Sequence, residues 1–262
     1  MKMKAGSAIR ICGGLLLLGF ALSGCGTDAT PSPKEATKAE KGIDYEKQIA
    51  LIAEKAELWK GDEEQVTEPY FYAVTDLDQN GRLELIQSIC QGTGFYTYTK
   101  LWEVNAEGTD LIACAYAVAE EESQPDVIAN PDGAYFDEAQ NRYYYIFRDD
   151  LRIGGAEYVQ DWVAFSLRDG AVSTSLLGQK HTIYEENGVE VTVYTDADGA
   201  EIDEAAYNKA AEKAFSDLTA MDATIGWTDY MVSAEMDRLT TEELREVLKT
   251  SWKGFAVKAS AF

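Results

Sequence analysis

The hydrophobic pattern of the chain changes from helical to strand-like near residue 69. From Ile43 to Lys60 the apolar residues recur at spacings of three and four, which predicts an amphipathic helix that Gly61 ends. After Pro69, alternating aromatic and β-branched residues predict about ten strands. The predicted strands span residues 70–75, 83–90, 95–104, 111–118, 134–136, 142–148, 158–167, 172–177, 181–184 and 189–195.

Short turn sequences separate these strands and indicate an antiparallel arrangement. Asn80-Gly81, Asn187-Gly188 and the glycine-containing segments 92–94 and 105–108 are typical of turns between adjacent strands. Such short connections cannot cross over to a parallel neighbour, and no crossover helix is indicated between residues 69 and 195. The pattern predicts a large curled antiparallel meander sheet, with a curled sheet, an incomplete barrel and a sandwich all compatible with it.

Two further helices are predicted after the strands. The first begins near Asp203, a suitable N-cap, and continues to residue 218. The second begins at Thr240, which Glu243 follows at the spacing of a capping box. Together with the N-terminal helix they flank the sheet, so the fold class expected for residues 43–262 is a single α+β domain.

The first 25 residues have the pattern of an export signal. Three basic residues precede or flank an apolar stretch at residues 11–22, which is shorter than the roughly 20 residues of a membrane-spanning helix. The stretch ends in Leu22-Ser23-Gly24-Cys25, which resembles the lipobox of bacterial lipoproteins. The resemblance implies cleavage before Cys25, a diacylglyceryl lipid on Cys25, and anchoring at the extracytoplasmic face of the cell membrane. An ordinary signal peptide with a chance cysteine is the alternative.

Residues 26–42 contain no large apolar residue and are predicted to be a disordered tether. The whole chain has 46 acidic and 23 basic residues, a net charge of −23. The predicted signal removes Lys2, Lys4 and Arg10 but no acid, so the mature chain would have 46 acids against 20 bases, or −26. Such a chain repels nucleic-acid phosphates, which excludes nucleic acid as a partner, and it repels anionic lipid headgroups.

One loop carries a set of candidate metal ligands. The candidate ligands are Asp76, Asp78, Asn80, the main-chain carbonyl of Arg82, and Glu84. They occupy loop positions 1, 3, 5, 7 and 9, and Gly81 at position 6 permits a sharp turn. Alternate oxygens that point inward can surround a hard cation such as Ca²⁺, which takes six to eight oxygen ligands.

This loop resembles the calcium loops of EF-hand and dockerin proteins and of FG-GAP blades in integrin-type propellers, and the resemblance implies a structural Ca²⁺ site. It departs from the EF-hand because Gln87 stands at position 12, where an EF-hand has a bidentate Glu, and because its flanks are predicted strands. The strand-flanked type is therefore the nearer match. The loop occurs once, which disfavours a propeller. A plain hairpin turn at Asn80-Gly81 surrounded by acids is the alternative.

The other candidates for chemistry are weaker. The acidic segment 195–201 has its glycine one position early and is predicted to be a turn. Cys90 and Cys114 fall on strands expected to be separated by one neighbour, or about 9–10 Å, which exceeds the ~7 Å disulfide limit and predicts two free thiols. His181 is the only histidine, and in a strand pattern it is predicted to be a packed or surface residue.

The aromatic residues leave a ligand-binding role open. Tyr96, Tyr98 and Trp102 alternate on one face of a predicted strand and, with Tyr143-Tyr144-Tyr145, could stack on sugars, although sheet packing is the simpler interpretation. The expected function is a non-catalytic, membrane-tethered module with a structural calcium loop and an unidentified protein or carbohydrate ligand. The alternative is a lipid-anchored hydrolase of cell-wall or carbohydrate polymers that uses paired carboxylates.

Overall fold

The structure, a computed structural model, describes residues 43–60, 70–91, 96–116, 130–153, 155–185, 188–229 and 233–260. The predicted signal peptide 1–25 with Cys25, and the predicted tether 26–42, lie outside these ranges. The predicted turn at residues 92–94 and Asn187 also lie outside them, as do the side chains of Cys90, Tyr96 and Tyr98.

The N-terminal part of the described chain forms a helix and a four-stranded sheet. Helix α1 spans Tyr45–Glu54, and a short 3₁₀ helix follows at Ala56–Leu58. The strands are β1 Tyr70–Thr75, β2 Glu84–Gln91, β3 Tyr96–Val104 and β4 Leu111–Ala113. They pair antiparallel in the order β1-β2-β3-β4, as expected for consecutive strands joined by short turns.

The remaining strands of the described chain form a second, larger sheet. They are β5 Ala115–Tyr116, β6 Gly133–Asp137, β7 Arg142–Ile153, β8 Glu157–Arg168, β9 Ala171–Tyr184, β10 Glu190–Asp196, β11 Glu201–Ile202, β12 Thr219–Thr224 and β13 Ala256–Ala259. The strand order is β11-β10-β9-β8-β7-β6-β12-β13, and β5 pairs with β9 in parallel. The sheet is open, with β11 and β13 at its two ends, so it does not close into a barrel.

Four helices follow the long strands of the larger sheet. They are α2 Glu204–Tyr207, α3 Ala210–Ala214, α4 Ser233–Met236 and α5 Thr241–Gly254. The capping box at Thr240 and Glu243 is confirmed, since each side chain accepts from the other residue's backbone N–H. The predicted single helix from Asp203 to residue 218 is wrong: its N-cap is present, but two short helices form there and lead into β12.

The prediction of one meander sheet is wrong at a specific point. The N–H of Cys114 still donates to Leu101 in the smaller sheet (2.8 Å), whereas the next N–H, of Ala115, donates to Gly170 in the larger one (2.9 Å). The chain thus changes sheet within a single residue. The antiparallel character is confirmed for the pairs within β1–β4 and β6–β13, and the strand bounds differ from those predicted by a few residues.

Two predicted strands, at residues 172–177 and 181–184, are one continuous strand, β9. Gly178 lies between the two predicted segments. A Cβ atom at Gly178 would lie 3.4 Å from the side chains of Tyr207 and Ala210. The glycine therefore lets α2 and α3 pack closely on the strand rather than interrupting it.

The C-terminal helix closes the edge of the smaller sheet. The N–H of Val74 in β1 donates to the hydroxyl of Ser251 in α5 (2.8 Å), and Tyr72 exchanges hydrogen bonds with Thr228 (2.8 and 3.1 Å). Close to this contact, Gly226 lies directly against Gly254 and the carbonyl of Ser251. The fully buried Trp59 packs beneath β1, with its ring 5.1 Å from that of Tyr72. None of the helices in the described ranges is both long and apolar enough to cross a membrane.

Candidate metal centre

The loop between β1 and β2 brings three carboxylates together. Asp76 follows the last residue of β1, and Glu84 is the first residue of β2, so the ends of the loop are fixed by the pairing of Thr75 with Glu84. Asp76 is 4% exposed and Glu84 is fully buried, whereas Asp78 is partly exposed. One carboxylate oxygen from each of the three residues lies within 4.8 Å of the others. Three acids this close repel one another unless a cation or protons are present.

Backbone hydrogen bonds to the acidic and amide side chains fold the loop. The N–H of Gly81 donates to the carboxylate of Asp76 (3.2 and 3.3 Å), and the N–H of Asn80 donates to Asp78 (3.2 Å). The N–H of Arg82 donates to Oδ1 of Asn80 (2.7 Å). Gly81 has φ +84°, and a Cβ there would collide with the side chain of Ile43. The turn therefore requires glycine at this position.

Glu84 has one satisfied and one unsatisfied carboxylate oxygen. Its Oε2 accepts from the hydroxyl of Thr75 (2.9 Å) and from the N–H of Leu77 (2.8 Å). Its Oε1 is buried and has no hydrogen-bond partner among the residues that the structure describes. Burial, followed by repulsion from Asp76 and Asp78, raises the pKa of Glu84 well above its usual value. A buried acceptor without a donor costs about 1–3 kcal/mol, which a bound cation or proton would offset.

Glu103 is a member of the site that sequence reasoning missed. It lies directly opposite Glu84 in the β2–β3 register and is 4% exposed. Its Oε1 accepts from the amide of Asn80 and from the guanidinium of Arg82, both at 2.8 Å. Burial raises the pKa of Glu103. The signal in the sequence is its position in the strand, because Glu103 alternates onto the same face as the buried Leu101.

The predicted ligand residues fall into two groups. Three acids converge, whereas the side chains of Asn80 and Arg82 contact Glu103. Asp76, Asp78 and Glu84 converge, and Asp78 also has a raised pKa, chiefly because of burial. The amide nitrogen of Asn80 donates to Asp78 (2.9 Å) and to Glu103, while the Arg82 side chain neutralises Glu103. The three converging ligand atoms are carboxylate oxygens, which suit a hard cation. The residues present thus fit a site for such an ion.

Two residues from distant parts of the chain hold the loop in place, and neither was predicted. Gln48 in α1 donates to the carbonyl of Gly81 (2.9 Å) and accepts from the N–H of Leu83 (2.7 Å). Tyr145 in β7 is fully buried, and its hydroxyl donates to the carbonyl of Leu77 (2.7 Å). The loop is therefore anchored to a helix and to the central part of the larger sheet.

The bond from Tyr145 can be tested by removing one atom. Tyr145→Phe leaves the buried carbonyl of Leu77 without its donor, so we expect a loss of about 1–3 kcal/mol in unfolding free energy. Urea denaturation monitored by circular dichroism measures the loss. The matched control is Tyr144→Phe, one residue away, where the ring packs against Phe215. An equal loss in both variants would contradict a specific role for the Tyr145 hydroxyl.

The remaining sequence candidates take structural positions. Cys114 is buried and forms no disulfide within the described ranges, as predicted, and the prediction for Cys90 stays a prediction. His181 contacts the carboxylate of Glu157 at 2.7 Å. The second acidic segment forms a turn in which Asp196 accepts from the N–H groups of Asp198 (3.0 Å) and Ala200 (2.9 Å).

Comparison with known proteins identifies no relative from which a function could be inferred. No family model, curated protein or solved structure matches the chain, and its function is therefore inferred from its own residues and their geometry.

Proposed function

We propose that the loop at residues 76–84 binds Ca²⁺ as a structural ion, in a membrane-tethered extracytoplasmic lipoprotein that acts as a non-catalytic binding module. The observation that carries the calcium site is the buried Oε1 of Glu84, which lacks a donor within the described residues and belongs to the cluster with Asp76 and Asp78. A cation is the partner that would satisfy this oxygen and relieve the repulsion between the three carboxylates together.

The chemistry of the donors favours Ca²⁺ over other ions. The three converging carboxylates are ligands of the type that Ca²⁺ takes. The side-chain oxygen of Asn80 and the carbonyl of Arg82 are proposed as further ligands, and waters would complete the set. Zinc would favour nitrogen or sulfur ligands. A short loop with one exposed side suits an affinity of about 10⁻⁴–10⁻³ M, which is typical of extracellular calcium modules.

The proposed role of the ion is to fasten the β1–β2 hairpin to the rest of the domain. The same loop accepts hydrogen bonds from Gln48 and Tyr145, so fixing its carboxylates also fixes its contacts with α1 and β7. A hydrolase would instead need two carboxyl groups that face an open cleft. Asp76 and Glu84 are 4% and 0% exposed, so this pair cannot reach a polymer.

The proposed location rests on the N-terminal sequence. A lipid on Cys25 would attach the chain to the outer surface of the membrane, and the segment 26–42 would separate the domain from it. The net charge of −26 that the cleaved chain would have, 46 acids against 20 bases, would keep the domain away from anionic headgroups. The partner in this setting is proposed to be a protein or a carbohydrate.

Thermal melting of the full-length protein tests the calcium site. At about 5 mM Ca²⁺, an affinity of 10⁻⁴–10⁻³ M stabilises the folded state by about 1–2 kcal/mol, so Tm should exceed that in EGTA by roughly 2–8 °C. Mg²⁺ at the same concentration should give a smaller shift. Asp76→Asn/Asp78→Asn should abolish the calcium shift, and the matched control Asp196→Asn/Asp198→Asn should keep it. No shift in the wild type, or a shift kept by the first variant, would refute the site.

A further inference from the structure

A second candidate site lies on the larger sheet, apart from the metal centre. Tyr158 in β8 and Tyr184 in β9 are 36% and 43% exposed, and their rings meet edge to face with centroids 5.9 Å apart. They border a depression of about 430 Å³, here called the tyrosine trough. Its polar lining includes Asp150, Gln160, Lys180 and Glu190.

The register of the strands explains why these residues share a face. Gln160 pairs with Asp150 on one side and with Lys180 on the other, and Tyr184 pairs with Glu190. Directly opposite residues in an antiparallel sheet project from the same side, as do residues two apart along a strand. Six side chains from four adjacent strands therefore project from one face, and the site requires no loop to form.

The exposed rings are held in fixed positions rather than left free. The guanidinium of Arg152 lies over the ring of Tyr158, 5.3 Å from its centroid, and Tyr184 hydrogen-bonds to Glu190. Gln160 donates to Asp150 (2.7 Å), and its main chain accepts from the hydroxyl of Tyr207 (3.1 Å). Large rings with restricted motion lose little conformational entropy when a ligand packs on them. The trough is thus preorganised to bind a ligand that has both apolar and polar surface.

The composition of the trough specifies the chemistry of that ligand. Aromatic rings pack well against the C–H faces of a sugar ring, and the carboxylates, the amide and Lys180 offer acceptors and donors to its hydroxyl groups. The carboxylates of Asp150 and Glu190 are balanced by Lys180 and by the guanidinium of Arg152 beside Tyr158, so the trough has no excess of either charge, which favours a neutral ligand. The trough is an open depression on a sheet rather than an enclosed cavity, so a polymer chain can lie across it.

We propose that the tyrosine trough binds a neutral polysaccharide, stacked on Tyr158 and Tyr184 and hydrogen-bonded through Asp150, Gln160, Lys180 and Glu190. This site is independent of the metal centre, because the loop at residues 76–84 contributes nothing to its lining. The binding module proposed above would thereby gain a defined class of ligand.

Native affinity electrophoresis of the full-length protein tests the proposal, in a polyoxyethylene detergent that carries no sugar. The gels contain galactomannan, mixed-linkage β-glucan, xylan or, as the anionic comparison, polygalacturonate. We expect retardation by at least one neutral polymer. Tyr158→Ala and Tyr184→Ala should each weaken binding about tenfold or more, which corresponds to ~1.4 kcal/mol, and Tyr184→Phe should retain most of it because the ring remains.

The matched control is Ile183→Ala, since Ile183 is 41% exposed but projects from the opposite face of the same strand. It should bind like the wild type. Circular dichroism verifies that each variant is folded, and parallel gels with Ca²⁺ and with EGTA separate this site from the metal centre. Absence of retardation by every neutral polymer, retardation by polygalacturonate alone, or unchanged binding by folded Tyr158→Ala/Tyr184→Ala would overturn the proposal.

Discussion

Glu84→Gln is expected to raise the Tm of the calcium-free protein at about pH 7.5 by roughly 3–8 °C and to abolish its stabilisation by Ca²⁺. The amide oxygen of glutamine can keep the bonds that Thr75 and Leu77 donate to Oε2. The amide nitrogen then replaces the unsatisfied Oε1 and can donate to Asp76 or Asp78. Glutamine has the shape of glutamate without its charge, so the substitution removes a buried charge and leaves the packing unchanged. It also removes a ligand for the cation.

The same substitution should remove one source of pH dependence. The usual pKa of a glutamate is about 4.5, and that of folded Glu84 is raised well above it. The folded protein therefore takes up a proton that the unfolded chain does not, so this group favours folding at low pH and disfavours it as the pH rises from about 4.5 through the raised pKa. In EGTA, the Tm advantage of Glu84→Gln over the wild type should grow across this range and vanish near its lower end.

Differential scanning calorimetry at several pH values, with Ca²⁺ or EGTA, measures both effects. Glu138→Gln, at an exposed turn position, is the matched control and should leave Tm and the calcium response unchanged. A lower Tm for Glu84→Gln in EGTA at neutral pH would show that the buried, unsatisfied carboxylate does not destabilise the folded protein. If the variant retained the calcium shift, Glu84 would not be a ligand.

Gly226→Ala is expected to lower the stability by about 3 kcal/mol or more, a fall of roughly 6–12 °C in Tm. A Cβ at Gly226 would collide with the carbonyl of Ser251 and lie 2.8 Å from the Cα of Gly254. Both obstacles are backbone atoms of helix α5 and its C-terminus, so they cannot move aside as a flexible side chain can. The helix or the segment at residue 226 must shift, which disturbs the bond from Val74 to Ser251.

Chemical denaturation measures this loss, and Gly133→Ala is its matched control. A Cβ at Gly133 would meet no atom within 4 Å, so its effect should stay within about 0.5 kcal/mol. Similar stabilities for the two variants would show that the contact between Gly226 and α5 tolerates an extra methyl group.

The elements that local chemistry determines could be predicted from the sequence. Helix α5 begins at its capping box, and the hairpin between β1 and β2 has a glycine where the backbone needs a positive φ. The convergence of Asp76, Asp78 and Glu84 followed from alternation around the same turn. In each case the information lies within a dozen residues.

The elements that depend on distant parts of the chain could not be predicted. Nothing near Cys114 signals the change of sheet, because both sheets offer the same kind of strand edge. The roles of Glu103 and Tyr145 depend on strand pairing and on contact between the two sheets, which the periodicity of one segment does not encode. The short strands β11, β12 and β13 are stabilised by their neighbours and have weak patterns of their own.

The closed edge of β1 has a consequence for how the protein folds. Tyr72 hydrogen-bonds with Thr228, which lies 156 positions later in the chain, and Val74 hydrogen-bonds with Ser251, which lies 177 positions later. Contacts so far apart in sequence form slowly, and until they form, an apolar strand edge is open to pairing with other chains. During synthesis the edge of β1 therefore stays open until residue 251 has been made. Thr228 and Ser251 thus cover a strand edge that would otherwise be open to aggregation.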